Sequence, residues 1–234
     1  MTLAAVDTIG KHMLCRFEDG TRIHTHNQLY GRWWVMRAKA RPRTARQLRL
    51  ALHGPDRSAL LYSASEIEVL APGDLDRHPR LSALGPDPLD RATGSEDVAT
   101  RFLERPFRRR RLSGLLLDQR FLAGLGNYLR SEILFEAGLS HTLRPVDCGD
   151  SQIQALARAT VAITRRSYRT GGLTNAPTVV QRLKKDGLPR EDYRFAAFAR
   201  AGQACYRCGG TIRAGTAGGR RIYDCPACQP GSGV

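Results

Sequence analysis

The sequence predicts an α+β fold: a partial antiparallel β-sandwich, then a helical domain that ends in a small metal-held hairpin. Three observations carry this. Residues 1–70 read as short alternating or apolar runs broken by turn signals, the pattern of half-buried strands. From Ser95 onward the apolar spacing changes to the three-and-four pattern of helices. The last thirty residues hold Cys205-Tyr-Arg-Cys208 and, with sixteen residues between, Cys225-Pro-Ala-Cys228.

In chain order, residues 13–17 form a strand, Glu18-Asp-Gly20 a turn, and 21–25 the returning strand. Further strands follow at 32–36, 46–52 and 59–62, with His53-Gly-Pro-Asp56 as a turn. Residues 71–94 carry Pro72, Pro79, Pro86 and Pro88 and read as a linker at the domain boundary. Ser95 caps the first helix, with Glu96 and Asp97 in its first turn and Val98, Phe102 and Leu103 on one side. Helices are expected at 112–123, 127–137 and 151–168. In the last, Ile153, Leu156, Ala157, Thr160 and Ile163 make the buried stripe. The helical domain spans 95–192. Within it, 169–192 is expected to be a mobile loop, on account of Gly171-Gly172, Pro177, Gly187 and Pro189. The hairpin occupies 193–230, and 231–234 is a frayed tail.

The two Cys-x-x-Cys hooks suit one tetrahedral Zn²⁺ bound by Cys205, Cys208, Cys225 and Cys228. Four protein ligands leave no open position, so the site is structural and the ion replaces a core too small to hold this segment. The competing arrangement is two disulfides, which a reducing compartment disfavours. Cys15 and Cys148 are left over as ordinary small side chains.

The 234 residues carry 37 basic and 22 acidic side chains, a net charge of +15, and a pI near 10.3. The excess is mostly arginine, whose planar fork suits phosphate, so nucleic acid is the expected partner. A ribosome-like or merely soluble basic protein has the same charge. No run of eighteen apolar residues exists to span a membrane. Asp7, Lys11 and His12 interrupt any signal-peptide core. The densest charge cluster, Arg108 to Arg111, fits either a solvated face or phosphate contacts.

The stretch from Leu115 to Arg130 runs through Gly124-Leu-Gly126 into Asn127. The glycines permit a tight turn and close backbone approach. The helix that starts at Asn127 offers unpaired N–H groups and a positive dipole end, a seat for an anion. The plainer alternative is a helical hairpin with Asn127 as N-cap.

Taken with the cysteine hooks, this stretch resembles the endonuclease VIII and formamidopyrimidine-DNA glycosylase family, from about Val6 to Gln229. Gly124-Leu-Gly-Asn127 resembles the family's helix-two-turns-helix element. Arg220, five residues before Cys225, resembles the arginine of the finger that grips phosphates beside a lesion. His26-Asn-Gln-Leu-Tyr-Gly31 looks like the endonuclease VIII branch. There the residues matching Gln28, Leu29 and Tyr30 enter the duplex and fill the space left by a flipped nucleotide. Such extrusion costs a few kcal/mol of stacking, which an apolar wedge and an aromatic ring offset in part. Without the resemblance, Leu29 and Tyr30 would read as core residues of the sandwich. Lys11 resembles a hairpin lysine that faces phosphate, and Glu132 a glutamate near the lesion; the plain alternatives are a surface lysine and a helix-surface carboxylate paired with Arg130 or Arg169.

The resemblance implies base-excision repair: removal of oxidised pyrimidines, then cleavage at the abasic site. It implies a monomer with one structural zinc, acting in a bacterial-type cytoplasm at the nucleoid on damaged double-stranded DNA. DNA is expected between the two domains, held by Asn127, Arg220, Lys11 and part of the arginine cluster. The family's nucleophile is an N-terminal proline amine followed by a glutamate. This chain begins Met1-Thr-Leu-Ala-Ala-Val-Asp7 and has no proline before Pro42. Either the sequence starts at an internal methionine of a longer active enzyme, or it is a natural short form. No catalytic residue is assigned within it; Lys11 and Glu132 are the fallback candidates. Two rivals remain: a non-catalytic zinc-dependent damaged-DNA-binding protein, and an unrelated zinc-ribbon protein of transcription or translation.

Overall fold

The computed structural model describes residues 1–231 and divides into two compact units, 1–83 and 84–234. Of the expected frayed tail, residues 232–234 lie outside the described residues.

The first unit holds seven strands in two antiparallel sheets. The four-stranded sheet orders β1 (Leu3–Ile9), β2 (His12–Phe17), β3 (Arg22–His26) and β7 (Glu66–Leu70); the three-stranded sheet orders β4 (Arg32–Arg37), β6 (Arg57–Tyr62) and β5 (Leu48–His53). The sequence reading lacked β1 and β7. Both are edge strands with weak apolar alternation, and Val6 and Val69 face solvent. The interior side chains come from the central strands: Leu14 on β2, and Leu60 and Leu61 on β6. Gly10 and Lys11 form the two-residue β1–β2 turn, with Gly10 at φ 59° as a tight hairpin requires.

The second unit is helical apart from the terminal hairpin. It comprises α1 (Ser95–Leu103), α2 (Leu112–Leu115), α3 (Asn127–Ala137), α4 (Asp150–Arg169), α5 (Pro177–Lys185), α6 (Arg190–Arg194), β8 (Arg213–Ala217) and β9 (Arg220–Asp224). Phe102, Leu112, Leu115, Phe121, Leu125, Ile133 and Leu156 share one core. The stripe expected on α4 is buried throughout.

Several expectations are corrected. Gly94, not Ser95, caps α1, and the Asp97 carboxylate accepts the Gly94 N–H at 2.7 Å. The helix expected at 112–123 stops at Leu115. Beyond it the Gln119 side chain organises a loop, donating to Leu117 O and Leu125 O and accepting from Gly124 N. The division between the two units, after Ala83, falls inside segment 71–94, and the segment is packed against its neighbours. His78 and Leu81 are buried, and the Arg165 guanidinium binds the carbonyls of Pro88, Asp90 and Thr93. Segment 169–192 holds α5 and α6 over a small core of Leu173, Val180, Leu183 and Tyr193. Pro177 misled the reading because proline is well tolerated in the first turn of a helix, where its missing N–H has no intrahelical partner.

Candidate nucleic-acid interface and four-cysteine centre

In the first unit, the loop from β3 to β4 lifts two large apolar side chains into solvent. Leu29 is 87% exposed and Tyr30 68% exposed, so neither packs in the sandwich core. The loop beneath them is fixed. Gln28 takes a left-handed φ of 49° and donates its N–H to His26 Nδ1 at 3.1 Å. Gly31 N–H closes onto Asn27 O at 2.7 Å, where an added Cβ would lie 2.6 Å from that carbonyl oxygen. The Arg46 guanidinium holds the Tyr30 carbonyl. The Gln28 carboxamide accepts from Ser65 Oγ at 2.6 Å and donates to Glu66 Oε1 at 2.8 Å. Lys11 is exposed at the tip of the β1–β2 turn.

In the second unit, the structure brings Asn127 and Arg220 to one place. Gly126 is the extended N-cap of α3, so Asn127 is the first helical residue rather than the cap. Its Nδ2 donates to Arg221 O on β9 at 3.0 Å. Its Oδ1 accepts from Arg130 Nη2 at 2.8 Å. Arg130 is fully buried and also donates to the carbonyls of Ser113, Ala217, Arg220 and Arg221. Burial, and then the charge of Arg220, push its pKa down to about 10, so it stays cationic at neutral pH. A buried positive charge bound only to carbonyls and an amide thus backs the start of α3, whose first-turn N–H groups lack intrahelical acceptors. The exposed Arg220 follows the Gly218-Gly219 turn, both glycines at positive φ. Such a site attracts an anion.

The arginine run divides by partner. Arg110 pairs with Asp118 at 2.7 Å, whereas Arg105, Arg108 and Arg109 are exposed and line one depression.

The four cysteine sulfurs lie within 4.8 Å of one another, and all four thiols are free. Two of the separations are 3.5 Å (Cys208–Cys225) and 3.9 Å (Cys205–Cys228). A tetrahedron of Zn–S bonds of ~2.3 Å places sulfurs roughly 3.8 Å apart, so the donor set fits a metal of that size. Backbone N–H groups point at the sulfurs: Arg207 N donates to Cys205 Sγ at 3.4 Å, and the N–H of Gly210 leads the pull that lowers Cys208 to about 7. Gln229, fully buried, ties the second hook to the end of α3 through Cys225 N and Leu139 O.

Glu132 is neither a surface carboxylate nor paired with Arg130 or Arg169. It is 2% exposed. Oε2 accepts from Thr174 Oγ1 at 2.5 Å and Ala196 N at 2.8 Å; Oε1 accepts from Ala197 N and Phe198 N, each at 2.8 Å. Its lone pairs are committed to holding the segment that leads into the finger.

Residues 84–177 match the family described as the formamidopyrimidine-DNA glycosylase H2TH domain. Endonuclease 8 of Enterobacter sp. (strain 638) is 46% identical over 224 residues, 96% of this chain and 82% of that protein. Endonuclease 8 of Klebsiella pneumoniae is also 46% identical over the same shares. The chain belongs to the endonuclease VIII and formamidopyrimidine-DNA glycosylase family. Among solved structures, Lactococcus lactis formamidopyrimidine-DNA glycosylase non-covalently bound to AP-site DNA aligns with a TM-score of 0.78 at 20% identity, over 98% of this chain and 82% of that one. The same bacterium's enzyme in complex with a FAPY-dG-containing DNA gives 0.79 at 19%. At that identity the two structures establish the fold of this family member.

Sequence reasoning missed Arg130, Ser65, Glu66 and Gln229. The available signal for Arg130 was its place three residues after Asn127, one turn along an otherwise apolar helix face. A second cluster of ionisable groups lies in the first unit: His24, Glu68 and His78 lie within 4.8 Å of one another. His78 Nδ1 accepts the N–H groups of Arg80 and Leu81, which places the ring proton on Nε2, donated to Glu68 at 2.9 Å. In that tautomer His78 has no lone pair left for a metal. His24 stands apart from this bond: its Nε2 meets His12 Nδ1 at 2.8 Å, and its Nδ1 lies 3.9 Å from Glu68 Oε1 with no hydrogen-bond partner among the described residues.

Proposed function

We propose that this family member is a base-excision repair DNA glycosylase of the endonuclease VIII type, acting on duplex DNA with oxidised pyrimidines and abasic sites. The observation that carries the reading is the pair Leu29 and Tyr30, 87% and 68% exposed on a loop whose backbone is pinned beneath them. Large apolar groups held in water on a fixed loop are a wedge awaiting a stacked surface. Leu29 and Tyr30 enter the base stack, and Gln28 faces the base left without a partner. The start of α3, Asn127 and Arg220 hold a phosphate, with Lys11 and the exposed arginines Arg105, Arg108 and Arg109 holding others. One structural Zn²⁺ on Cys205, Cys208, Cys225 and Cys228 fixes the hairpin that carries Arg220; it supplies no reaction step. Family chemistry requires an amine to attack C1′ of the damaged nucleotide and displace the base. Glu132, with every oxygen lone pair engaged, is not the acid or base of that step.

The test is a competition among duplexes of one sequence that carry a single thymine glycol, a single 8-oxoguanine or no lesion. The reading expects the oxidised pyrimidine to bind at least about tenfold tighter than intact duplex, ~1.4 kcal/mol, and ahead of the purine lesion. Equal affinity for all three would remove the lesion-recognition claim.

A further inference from the structure

Gln28 is a flexible residue asked to do a discriminating task. A carboxamide can turn over and present either its NH₂ or its oxygen at nearly equal energy, so an unrestrained glutamine accommodates almost any base edge. Here both ends are committed. Oε1 accepts the Ser65 hydroxyl at 2.6 Å, and Nε2 donates to Glu66 Oε1 at 2.8 Å. An ionised carboxylate only accepts hydrogen bonds, so turning the amide over would set its oxygen against Glu66.

Glu66 is itself held ionised and in place. Its side chain is 24% exposed, and its other oxygen, Oε2, lies 2.7 Å from Arg80 Nη1. Burial raises its pKa, but the hydrogen bonds from Gln28 and Arg80 outweigh this and hold it below the usual carboxylate range. Arg80 in turn reaches Glu68 Oε1 at 3.0 Å, and Glu68 Oε2 accepts from the buried His78 at 2.9 Å. The lock is therefore anchored in the unit's interior rather than in a single surface pair. The stem of Gln28 is fixed as well, by its left-handed φ and its N–H bond to His26. What remains to Gln28 is one N–H and one oxygen lone pair, in a set order.

We infer that Glu66, assisted by Ser65, is a positioning residue that fixes the orientation of the Gln28 carboxamide and thereby sets which base is accepted opposite the lesion. The inference rests on the proposal that Gln28 faces the orphan base. It assigns Glu66 no contact with DNA; its effect passes through Gln28.

The experiment measures equilibrium binding of the full chain to four duplexes, each with one tetrahydrofuran abasic analogue opposite A, C, G or T. The proteins are wild type, Glu66→Gln, Ser65→Ala and Gln28→Ala, with melting temperatures recorded for each. One oriented hydrogen bond should spread the wild-type affinities over about two- to tenfold. Glu66→Gln can donate as well as accept, so it frees the amide to turn and should compress that spread. Ser65→Ala should compress it without touching the Arg80 ion pair, which guards against a folding defect in the first variant. Gln28→Ala should abolish it. If Gln28→Ala flattens the ranking while both Glu66→Gln and Ser65→Ala retain it, or lower all four affinities equally, the positioning role is refuted and the wedge reading stands. If Gln28→Ala leaves the ranking intact, Gln28 does not face the base, and both fall.

Discussion

Glu132→Gln tests the placement of the buried carboxylate. The substitution keeps the side-chain volume and exchanges one oxygen for NH₂. Four donors converge on Glu132: the Thr174 hydroxyl and the N–H groups of Ala196, Ala197 and Phe198. The worse orientation of the amide faces two backbone N–H groups. The better one sets NH₂ toward Thr174, whose hydroxyl can rotate, and Ala196, whose N–H cannot. One buried N–H is then unsatisfied, a penalty of about 1–3 kcal/mol, and the surviving bonds lose their charge assistance. The sum is roughly 3–5 kcal/mol, which for a protein of this size lowers Tm by roughly 6–20 °C. Helix circular dichroism during thermal unfolding reads it. If Tm stays within about 2 °C while DNA processing is lost, Glu132 would be a functional group at the lesion and the structural assignment wrong.

Three further outcomes are expected. Arg220→Ala should weaken binding to an abasic-analogue duplex by roughly 1.5–3 kcal/mol with Tm unchanged, whereas Asn127→Ala should weaken binding and also lower Tm, because Arg130 loses its side-chain acceptor; losses below a few tenths of a kcal/mol in both would take the α3 start out of the interface. Leu29→Ala should reduce affinity for damaged duplex more than for intact duplex, and an equal loss on both would end the wedge role. Acid should destabilise the first unit. Burial, then His26 and His24, push His12 down to about 4, with Arg80 adding and Glu66 opposing. A folded-state pKa below the unfolded value means the unfolded chain binds more protons. Stability is therefore intact above pH ~6.5 and falls toward pH 4, by roughly 3 kcal/mol at about 1.4 kcal/mol per unit. Both tryptophans, Trp33 and Trp34, lie on β4, so their fluorescence in urea titrations reports this unit. A flat profile between pH 6.5 and 4.5 would contradict the burial argument.

Features fixed by local rules were legible in the sequence. The four cysteines assemble as their spacing requires, because a two-residue gap brings both sulfurs of a hook to one side. The α3 and α4 boundaries fall within a residue of expectation, since a glycine stands at the N-cap of each and Gly138 ends α3 in the left-handed conformation. Features that depend on distant partners were not legible. Glu132 looks like any helix-surface acid until Ala196–Phe198 arrive more than sixty residues later. Arg130 reads as a solvated charge until the carbonyls of the terminal hairpin close over it. Leu29 and Tyr30 carry no local mark of exposure. Pro and Gly in 169–192 signalled a loop, yet the proline opens α5 and the glycines turn the chain between elements.

The central claim is that a metal-held hairpin and an exposed wedge together recognise a damaged site in duplex DNA. The most direct measurement titrates the chain, zinc-loaded and zinc-stripped, onto one duplex with a single tetrahydrofuran site and onto its intact counterpart. The account predicts one zinc per chain and a preference for the damaged duplex of at least about tenfold, lost on stripping because metal binding and folding of the finger are coupled. Equal affinity for the two duplexes, or a preference that survives verified removal of the metal, would contradict it.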